Sequence, residues 1–317
     1  MKCAVIGSGG VGGSFGALLA LSGTETWFLA RGSHLAAMRS RGLTIRTTGG
    51  TPLHVRPGRM TENPREVGPC DLVLFCVKSY DTETAAPLAA PLLEGGGTLL
   101  TLQNGAESAA RLALLLPGAR IWPGIAFVYA SVSAPGEITE TGSIRKILFG
   151  ATHGGPPPPP AQEALAALGR ASIGAEWTPD IRRELWKKLA FIATVGGLTA
   201  LTRLTLGELL DVHRTRELLA DAMEEACRVA RAEGAAVEED FVRLTIARLL
   251  RFPNRTRSSL YHDLVNGRPL EIDALSGAVV RFGVLHGIPT PLHRMMYDSL
   301  LPHHRSRGRP RTTGDTQ

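Results

Sequence analysis

The chain has 317 residues, of which 44% are hydrophobic, enough for two domains of ordinary size with sizeable cores. Its formal charge is +6, but the last fifteen residues, HHRSRGRPRTTGDTQ, hold four arginines and one aspartate and supply +3 of it. The body is therefore only mildly basic, and no aromatic residue is interleaved in the terminal segment, which argues against a nucleic-acid partner. We expect residues 303–317 to form a disordered basic tail.

The sequence indicates neither a membrane segment nor a metal site. The apolar run in MKCAVIG is too short for a signal-peptide core, and no window reaches the roughly 18 apolar residues of a membrane span. We therefore expect a cytoplasmic protein. The four cysteines include no CxxC pair and the nine histidines show no HExxH or zinc-finger spacing, which predicts buried free thiols and no bound metal.

Residues 1–179 alternate short apolar runs with helical patterns. The runs are KCAVIG, ETWFLA, DLVLFCV, GTLLTL and, less regularly, IWPGIAFVYASV. Helices are expected after the first run, in SHLAAMRSRG, and near 81–93. This order predicts an α/β Rossmann-type domain with a doubly wound parallel sheet. The run GGPPPPP at 154–160 is expected to form a stiff loop before the helix AQEALAALGRA.

Residues 180–302 are predicted to form a second, all-α domain. Apolar runs typical of strands disappear after about residue 180, and four long segments show helical periodicity. These segments are LWKKLAFIATVGGLTAL, RELLADAMEEACRVARAEG, EEDFVRLTIARLL and EIDALSGAVVRFGVLHG. The sequence leaves both a monomer and a homodimer open.

The stretch VIGSGGVGGSFG places glycines in GxGxxG spacing between a strand and a helix. The first, Gly7, permits a tight turn, and the second, Gly9, lets backbone N–H groups approach a pyrophosphate. The third, Gly12, lets helix and strand pack closely. This context predicts a dinucleotide-binding turn, and the alternative is a plain glycine-rich turn.

Three polar residues follow predicted strands, where ligands bind in parallel sheets. Arg31, in FLARGSH, stands where an NAD site usually carries an acid, and no acid follows it in that segment. An arginine there fits a 2′-phosphate, so NADP(H) is the predicted cofactor unless Arg31 is only a surface residue. Lys78 in FCVKSY and Asn104 in LTLQNG end two later runs, and each is either a ligand or a solvated loop residue.

Two adjacent lysines stand at the head of the helix predicted for 185–201, which is otherwise uncharged. At about 100° per residue, Lys187 lies on the side of Thr194 and is expected to be solvated, whereas Lys188 points among apolar side chains. Burying an ammonium group is energetically unfavourable unless the group forms an ion pair or takes part in catalysis. Reduction of a carbonyl group requires a proton donor. Lys188, near the expected domain junction, is the candidate donor, and an ion pair with Glu184 is the structural alternative.

Glu271 lies between the turn at Asn266 and Gly267 and the helix IDALSGAVVRFGVLHG. A carboxylate at the start of a helix usually serves as a cap. These residues alone therefore favour a structural role for Glu271.

Taken together, these residues make the chain resemble the ketopantoate reductase family, from Met1 to about residue 301. The motifs that carry the resemblance are GSGGVG, Arg31, VK at 77–78, QNG at 103–105, LWKKL followed by LTAL, and SSLYHD through LEID. Their order and spacing are more specific than any one of them.

The resemblance implies an oxidoreductase that uses NADPH to reduce 2-dehydropantoate to (R)-pantoate, a step toward pantothenate and coenzyme A. It implies that Lys188 donates the proton, that Glu271 is its acidic partner, and that Ser259 contacts the small 2-oxo acid substrate. Lys78 and Asn104 would border the nicotinamide, and Asn104 and Lys188 the substrate. The implied cofactor-binding residues are Gly7, Ser8, Gly9, Gly10, Val11, Gly12, Arg31, Lys78, Asn104, Ala130 through its backbone, and Glu271.

The chain departs from the family at three positions. Members that form pantoate carry asparagines where this chain has Ile192 and Gly196, and a third near Leu206. Loss of three amides predicts a more apolar and roomier pocket, because polar contacts discriminate strongly between substrates. A more apolar 2-oxo acid or ketone is therefore an alternative substrate. A non-catalytic NADP(H)-binding sensor is a third hypothesis, against which the retained Lys188, Ser259 and Glu271 argue.

Overall fold

The computed structural model of the protein describes residues 1–56, 58–251 and 257–305. The chain divides into two compact units, Met1–Ile181 and Arg182–Gln317, next to the boundary expected between 179 and 180. Among the described residues, the strands all lie in the first unit and the regular elements of the second unit are helices, as the sequence predicted.

The strands of the first unit form one mostly parallel sheet. In chain order they are β1 (Lys2–Ile6), β2 (Glu25–Leu29), β3 (Leu43–Thr47), β4 (Leu53–Val55), β5 (Met60–Thr61), β6 (Leu72–Phe75), β7 (Thr98–Thr101), β8 (Arg120–Ala134), β9 (Glu137–Phe149) and β10 (Gly174–Trp177). Their order across the sheet is β4-β3-β9-β8-β7-β6-β1-β2-β5, with β10 beside β9.

The centre of the sheet is the predicted Rossmann-type arrangement. Strands β6 and β2 flank β1, and all three run parallel. Strand β6 (LVLF) and strand β7 (TLLT) are buried along their whole length, because helices cover both faces of such a sheet. The carboxyl ends of β1, β2, β6 and β7 therefore lie along one edge of the sheet, where the predicted ligand-binding residues follow.

Beyond β7 the sheet differs from a purely parallel one. Strands β8 and β9 form a long antiparallel hairpin that turns at Gly136, whose φ is +79°. In β8 exposed residues alternate with half-buried ones from Phe127 to Val132, the pattern of a strand with one face toward solvent. Strand β9 escaped prediction because its sequence, EITETGSIRKILF, is polar in its first half.

The helices of the first unit pack on the two faces of the sheet. They are α1 (Gly10–Leu21), α2 (Gly32–Arg41), α3 (Thr82–Ala85), α4 (Ala90–Leu93), α5 (Ser108–Leu115) and α6 (Pro159–Arg170). The single helix expected near 81–93 is instead two short helices with a 3₁₀ turn between them, since Pro87 and Pro91 interrupt its hydrogen bonding. Helix α6 begins inside the proline run. Proline is tolerated there because the first N–H groups of a helix have no hydrogen-bond partner within the helix.

The second unit consists of α7 (Ile181–Thr202, whose first residue closes the first unit), α8 (Leu206–Asp211), α9 (His213–Ala232), α10 (Phe241–Leu249), α11 (Ser259–Val265), α12 (Ser276–Leu285) and α13 (Pro291–Arg305). An apolar cluster that includes Val195, Leu209 and Met296 forms part of its core. The buried carboxylate of Glu225 in α9 accepts hydrogen bonds from the backbone N–H groups of Leu292 and His293, and so satisfies the first turn of α13.

Helix α13 extends into the segment that the sequence analysis assigned to a tail. Helix α13 continues to Arg305, and Nδ1 of His304 accepts a hydrogen bond from the backbone N–H of Leu270 at 3.1 Å. Placing residues 303–305 in a disordered tail was therefore wrong, and the rest of that prediction concerns 306–317, which lie outside the described residues. Cys3, Cys70, Cys76 and Cys227 are free thiols, all buried except the half-buried Cys76. Within the described ranges, no helix combines the length and apolarity needed to cross a membrane.

Candidate active site

The glycine-rich turn Gly7–Gly12 follows β1 and leads into α1. Gly7 has a φ of +90°, and a Cβ placed on it would lie 2.7 Å from the backbone nitrogen of Val77. A Cβ on Gly12 would lie 2.4 Å from the carbonyl oxygen of Gly7. The close packing of α1 on the sheet thus requires glycine at both positions.

Gly9 and Gly10 have opposite surroundings. Apart from Gly9 itself and its chain neighbours, no atom of the described residues lies within 4 Å of a Cβ built on Gly9. A Cβ on Gly10 would lie 2.2 Å from the carbonyl oxygen of Ala130 in β8. The backbone of Ala130 therefore lies directly against the turn, while Gly9 faces open space, the position at which the motif lets a pyrophosphate approach.

The start of α1 fits the pyrophosphate of a dinucleotide. Within the described part of the chain, no side chain caps this helix, and its first turn, GVGG, carries no acidic residue. The first N–H groups of a helix are unsatisfied donors at the positive end of its dipole, which suits a pyrophosphate. Val11 packs against the core of the first unit and fixes the direction of these donors.

Two substitutions separate the roles of the glycines. Gly10→Ala is expected to lower the free energy of unfolding by about 1–3 kcal/mol, because its methyl group overlaps the Ala130 carbonyl. Gly9→Ala is expected to leave stability unchanged and to weaken binding of a dinucleotide about tenfold, since its methyl group occupies the open space. Thermal melting and calorimetric titration measure the two effects. Equal losses of stability in both variants would contradict this assignment.

Hydrogen bonds of Ser8 and His34 connect the glycine-rich turn to β2 and α2. The buried Ser8 hydroxyl donates a hydrogen bond to the carbonyl oxygen of Leu29 at 3.0 Å. His34 Nδ1 accepts from the backbone N–H of Gly136 at 3.1 Å, so in the neutral ring Nε2 carries the hydrogen and donates to the Ser8 carbonyl oxygen at 2.9 Å. Sequence reasoning missed His34 because Gly136 lies 102 residues away in the chain.

Arg31 lies directly before α2 and has a side chain that is 77% exposed. Its Nη2 donates to Oδ2 of Asp81 at 2.8 Å. No acid follows Arg31 in the segment FLARGSH. In the folded chain, Asp81 supplies a carboxylate to Arg31 from 50 residues further along the sequence.

The ends of β6 and β7 are joined by the buried side chain of Gln103. Its Nε2 donates to the carbonyl oxygen of Val77 at 3.1 Å and to Oγ1 of Thr82 at 2.9 Å. Lys78 and Asn104, each half-buried, are the chain neighbours of Val77 and Gln103. One side chain thus ties together the segments that carry both predicted ligands, and Gln103 is a positioning residue that the sequence alone did not reveal.

Lys187 and Lys188 have different surroundings on α7. The Nζ atom of Lys187 lies 3.6 Å from Glu184, 3.3 Å from Glu238 and 5.5 Å from the centre of the Phe241 ring. Lys187 is therefore ion-paired and only 24% exposed, and the prediction that it is simply solvated was wrong. Glu184, which the sequence offered as a structural partner for Lys188, lies against the Lys187 ammonium.

Lys188 is half-buried and has a perturbed pKa. Burial lowers its pKa from 10.5 to about 8, and the negative charge of Glu271 opposes this change. Glu271 is only 5% exposed and precedes the turn that leads into α12 at Ser276. The second unit thus brings Lys188 and Glu271 within electrostatic reach of each other, and a lysine of such a pKa can donate and recover a proton near neutral pH.

Ser259 begins α11, and its residue surface is exposed. The preceding Ser258 caps this helix by accepting from the backbone N–H of Tyr261 at 3.0 Å. Ser258 Oγ also lies 2.7 Å from Oγ1 of Thr199 on α7. The two helices are therefore fastened beside Ser259, about 16 Å along α7 from Lys188 at the rise of an α-helix.

The three positions that depart from the family differ in environment. Ile192 is half-buried one turn beyond Lys188. A Cβ on Gly196 would make ordinary contacts of 3.6 Å with Leu260. Leu206 is 2% exposed within the apolar cluster of the second unit, so this position is a core position and not a pocket wall.

Comparisons with known proteins cover both units. The family model "Ketopantoate reductase PanE/ApbA" matches residues 3–154, and its C-terminal counterpart matches residues 180–303. The 2-dehydropantoate 2-reductase of Halobacterium salinarum is 32% identical over 94% of this chain and 97% of its own length. The enzyme of the same name from Mesorhizobium japonicum is 31% identical over 92% of this chain and 94% of its own.

Solved structures give the same result. A PanE/ApbA family ketopantoate reductase from Ralstonia eutropha has a TM-score of 0.86 at 32% identity, covering 98% of this chain and 100% of that one. A D-mandelate dehydrogenase crystallised with NADH and anilino(oxo)acetate has a TM-score of 0.87 at 22% identity, covering 97% of this chain and 100% of that one, and shares the fold.

The fold and these matches define an oxidoreductase that acts on CH–OH groups. Within that class, the chain belongs to the ketopantoate reductase family. Membership of an enzyme family argues against the non-catalytic sensor.

Proposed function

We propose that this chain reduces 2-dehydropantoate to (R)-pantoate with NADPH, a step toward pantothenate and coenzyme A. The observation that carries the proposal is Lys188, whose pKa burial lowers to about 8 beside the buried Glu271. Carbonyl reduction needs such a proton donor. The relatives from Halobacterium salinarum and Mesorhizobium japonicum, both named 2-dehydropantoate 2-reductase, support the choice of substrate.

NADPH, when bound, supplies the hydride that reduces the carbonyl carbon. Gly9 and Gly10, at the uncapped start of α1, would hold its pyrophosphate, and Arg31 its 2′-phosphate. In the same proposal, Lys78 and Asn104 orient the reacting groups.

Lys188 holds the second reactant, a proton on Nζ. As the carbonyl oxygen gains negative charge, Lys188 donates this proton to it, so that a hydroxyl group forms and a neutral amine remains. The carboxylate of Glu271 stabilises the ammonium form, because its charge raises the pKa of Lys188 against the effect of burial. The family resemblance also assigns Ser259 a substrate contact, but Ser259 is exposed and lies beside Thr199, about 16 Å along α7 from Lys188, so it has no part in this step.

A more apolar 2-oxo acid is the second candidate substrate. Ile192 and Gly196 favour it, since neither supplies the amide that binds the hydroxyl group of a small polar substrate. The D-mandelate dehydrogenase that shares this fold was crystallised with anilino(oxo)acetate, and at 22% identity it indicates only that the fold accommodates such a compound.

The substrate is tested by following NADPH absorbance with 2-dehydropantoate and phenylglyoxylate. We expect turnover of 2-dehydropantoate, and we expect Ile192→Asn to raise the preference for it over phenylglyoxylate about tenfold. Ile192→Leu, which stays apolar, serves as the control and should leave the preference unchanged. Faster turnover of phenylglyoxylate by the unaltered protein would shift the assignment to the apolar substrate, and no turnover of either compound would refute both.

A further inference from the structure

Arg31 and Asp81 form an ion pair above the carboxyl end of β1. Arg31 follows β2, and Asp81 ends the 3₁₀ turn Ser79–Asp81 that follows β6. Strand β1 lies between β2 and β6 in the sheet. The 2.8 Å contact between Nη2 and Oδ2 therefore reaches across the strand that leads into the glycine-rich turn.

The Asp81 carboxylate is directed to Arg31 and not to its own helix. Asp81 is the residue before α3, yet among the described residues its side chain makes no capping hydrogen bond there. Its side chain is 28% exposed and that of Arg31 is 77% exposed, so a ligand can reach both groups. A guanidinium has five N–H donors, so Arg31 can bind Asp81 and a ligand together.

The two groups oppose each other in recognising a dinucleotide. Arg31 attracts a 2′-phosphate, whereas a carboxylate on the same guanidinium repels that phosphate and offsets the charge that attracts it. A ribose 2′-hydroxyl is neutral and can donate a hydrogen bond to a carboxylate. An acid bound to this hydroxyl is the usual mark of an NAD site, where it follows the glycines by about 20 residues.

We propose that Asp81 is a specificity-determining residue that accepts the ribose 2′-hydroxyl of NADH and competes with the 2′-phosphate of NADPH for Arg31. The chain consequently prefers NADPH over NADH less strongly than Arg31 alone would make it. This inference rests on the part of the proposed function that places a nicotinamide dinucleotide at the glycine-rich turn.

The test is calorimetric titration of NADP⁺ and NAD⁺ into the unaltered protein, Asp81→Asn and Glu83→Gln. We expect Asp81→Asn to tighten NADP⁺ binding about tenfold and to weaken NAD⁺ binding, and the gain for NADP⁺ to shrink at high salt. Glu83→Gln is the matched control. It removes the same charge two residues away, from a side chain that pairs with Arg111 and not with Arg31. It should leave the ratio of the two dissociation constants unchanged.

Each alternative outcome is distinct. An unchanged ratio in Asp81→Asn would overturn the proposal while dinucleotide binding, and with it the proposed function, stands. A change in the two dissociation constants of Asp81→Asn that favours NAD⁺ over NADP⁺ would also overturn the proposal, because Asp81 would then hold Arg31 in place for the 2′-phosphate. If the unaltered protein bound neither dinucleotide, both the proposal and the proposed function would fail. Thermal melting checks that Asp81→Asn folds. We expect it to fold, because the loss of an exposed ion pair changes stability little.

Discussion

Replacement of Lys188 by methionine is expected to lower kcat for carbonyl reduction by a factor of about 10²–10⁴, the usual contribution of a general acid. Methionine keeps the length and apolar character of the side chain but holds no proton. The glycine-rich turn lies in the other unit of the chain, so the dissociation constant of NADPH should stay unchanged. Stopped-flow absorbance under single-turnover conditions measures the chemical step, and fluorescence titration measures cofactor binding.

Lys187→Met is the matched control for this prediction. It removes the neighbouring ammonium, together with its ion pairs to Glu184 and Glu238, and leaves Lys188 in place. We expect it to keep most of the activity and to lose a small amount of stability, as is typical of partly exposed ion pairs. If the two variants lost activity equally, the effect would come from the charge or stability of α7 and not from a proton donor.

The central strands of the fold were predictable from the sequence because each is a continuous apolar run. Strand β6 is buried at every residue, so its composition alone identifies it. The outer strands were not predictable in this way. Strand β9 is mixed in character, and it is a strand because β8 and β3 pair with its two edges. Helix α13 likewise runs past residue 303 because of a tertiary contact, the hydrogen bond from Leu270 to His304.

The candidate site shows the same division between local and distant information. The glycine-rich turn follows from spacing, since the GxGxxG pattern stands between an apolar run and a helical pattern in the sequence itself, and Lys188 follows from a charge in an apolar stretch. Residues whose role depends on a distant partner were missed. The sequence assigned no role to Asp81 and included Gln103 only as part of the QNG motif, because only folding brings them to Arg31 and Val77.

The pH dependence of the reaction should carry the signature of Lys188. Reduction requires the ammonium form, so its kcat/KM should be constant below pH of about 8, the pKa of Lys188, and fall about tenfold per pH unit above it. Oxidation of the hydroxy acid requires the neutral amine, so its rate should rise through the same pH. If the rates of reduction and oxidation change in opposite directions with pH and share one midpoint, the change comes from the protonation of Lys188. General inactivation of the protein at alkaline pH would lower both rates.

Glu271→Gln should move that midpoint to lower pH by about one unit, because the carboxylate raises the pKa of Lys188 and an amide does not. Near neutral pH, reduction should then slow while oxidation speeds up, which a merely destabilised variant would not show. Glu238→Gln is the control, since Glu238 pairs with Lys187 and its loss should leave the midpoint in place. A midpoint that is the same in Glu271→Gln as in the unaltered protein would mean that Glu271 does not set the protonation of Lys188, and its role would then be confined to the turn before α12.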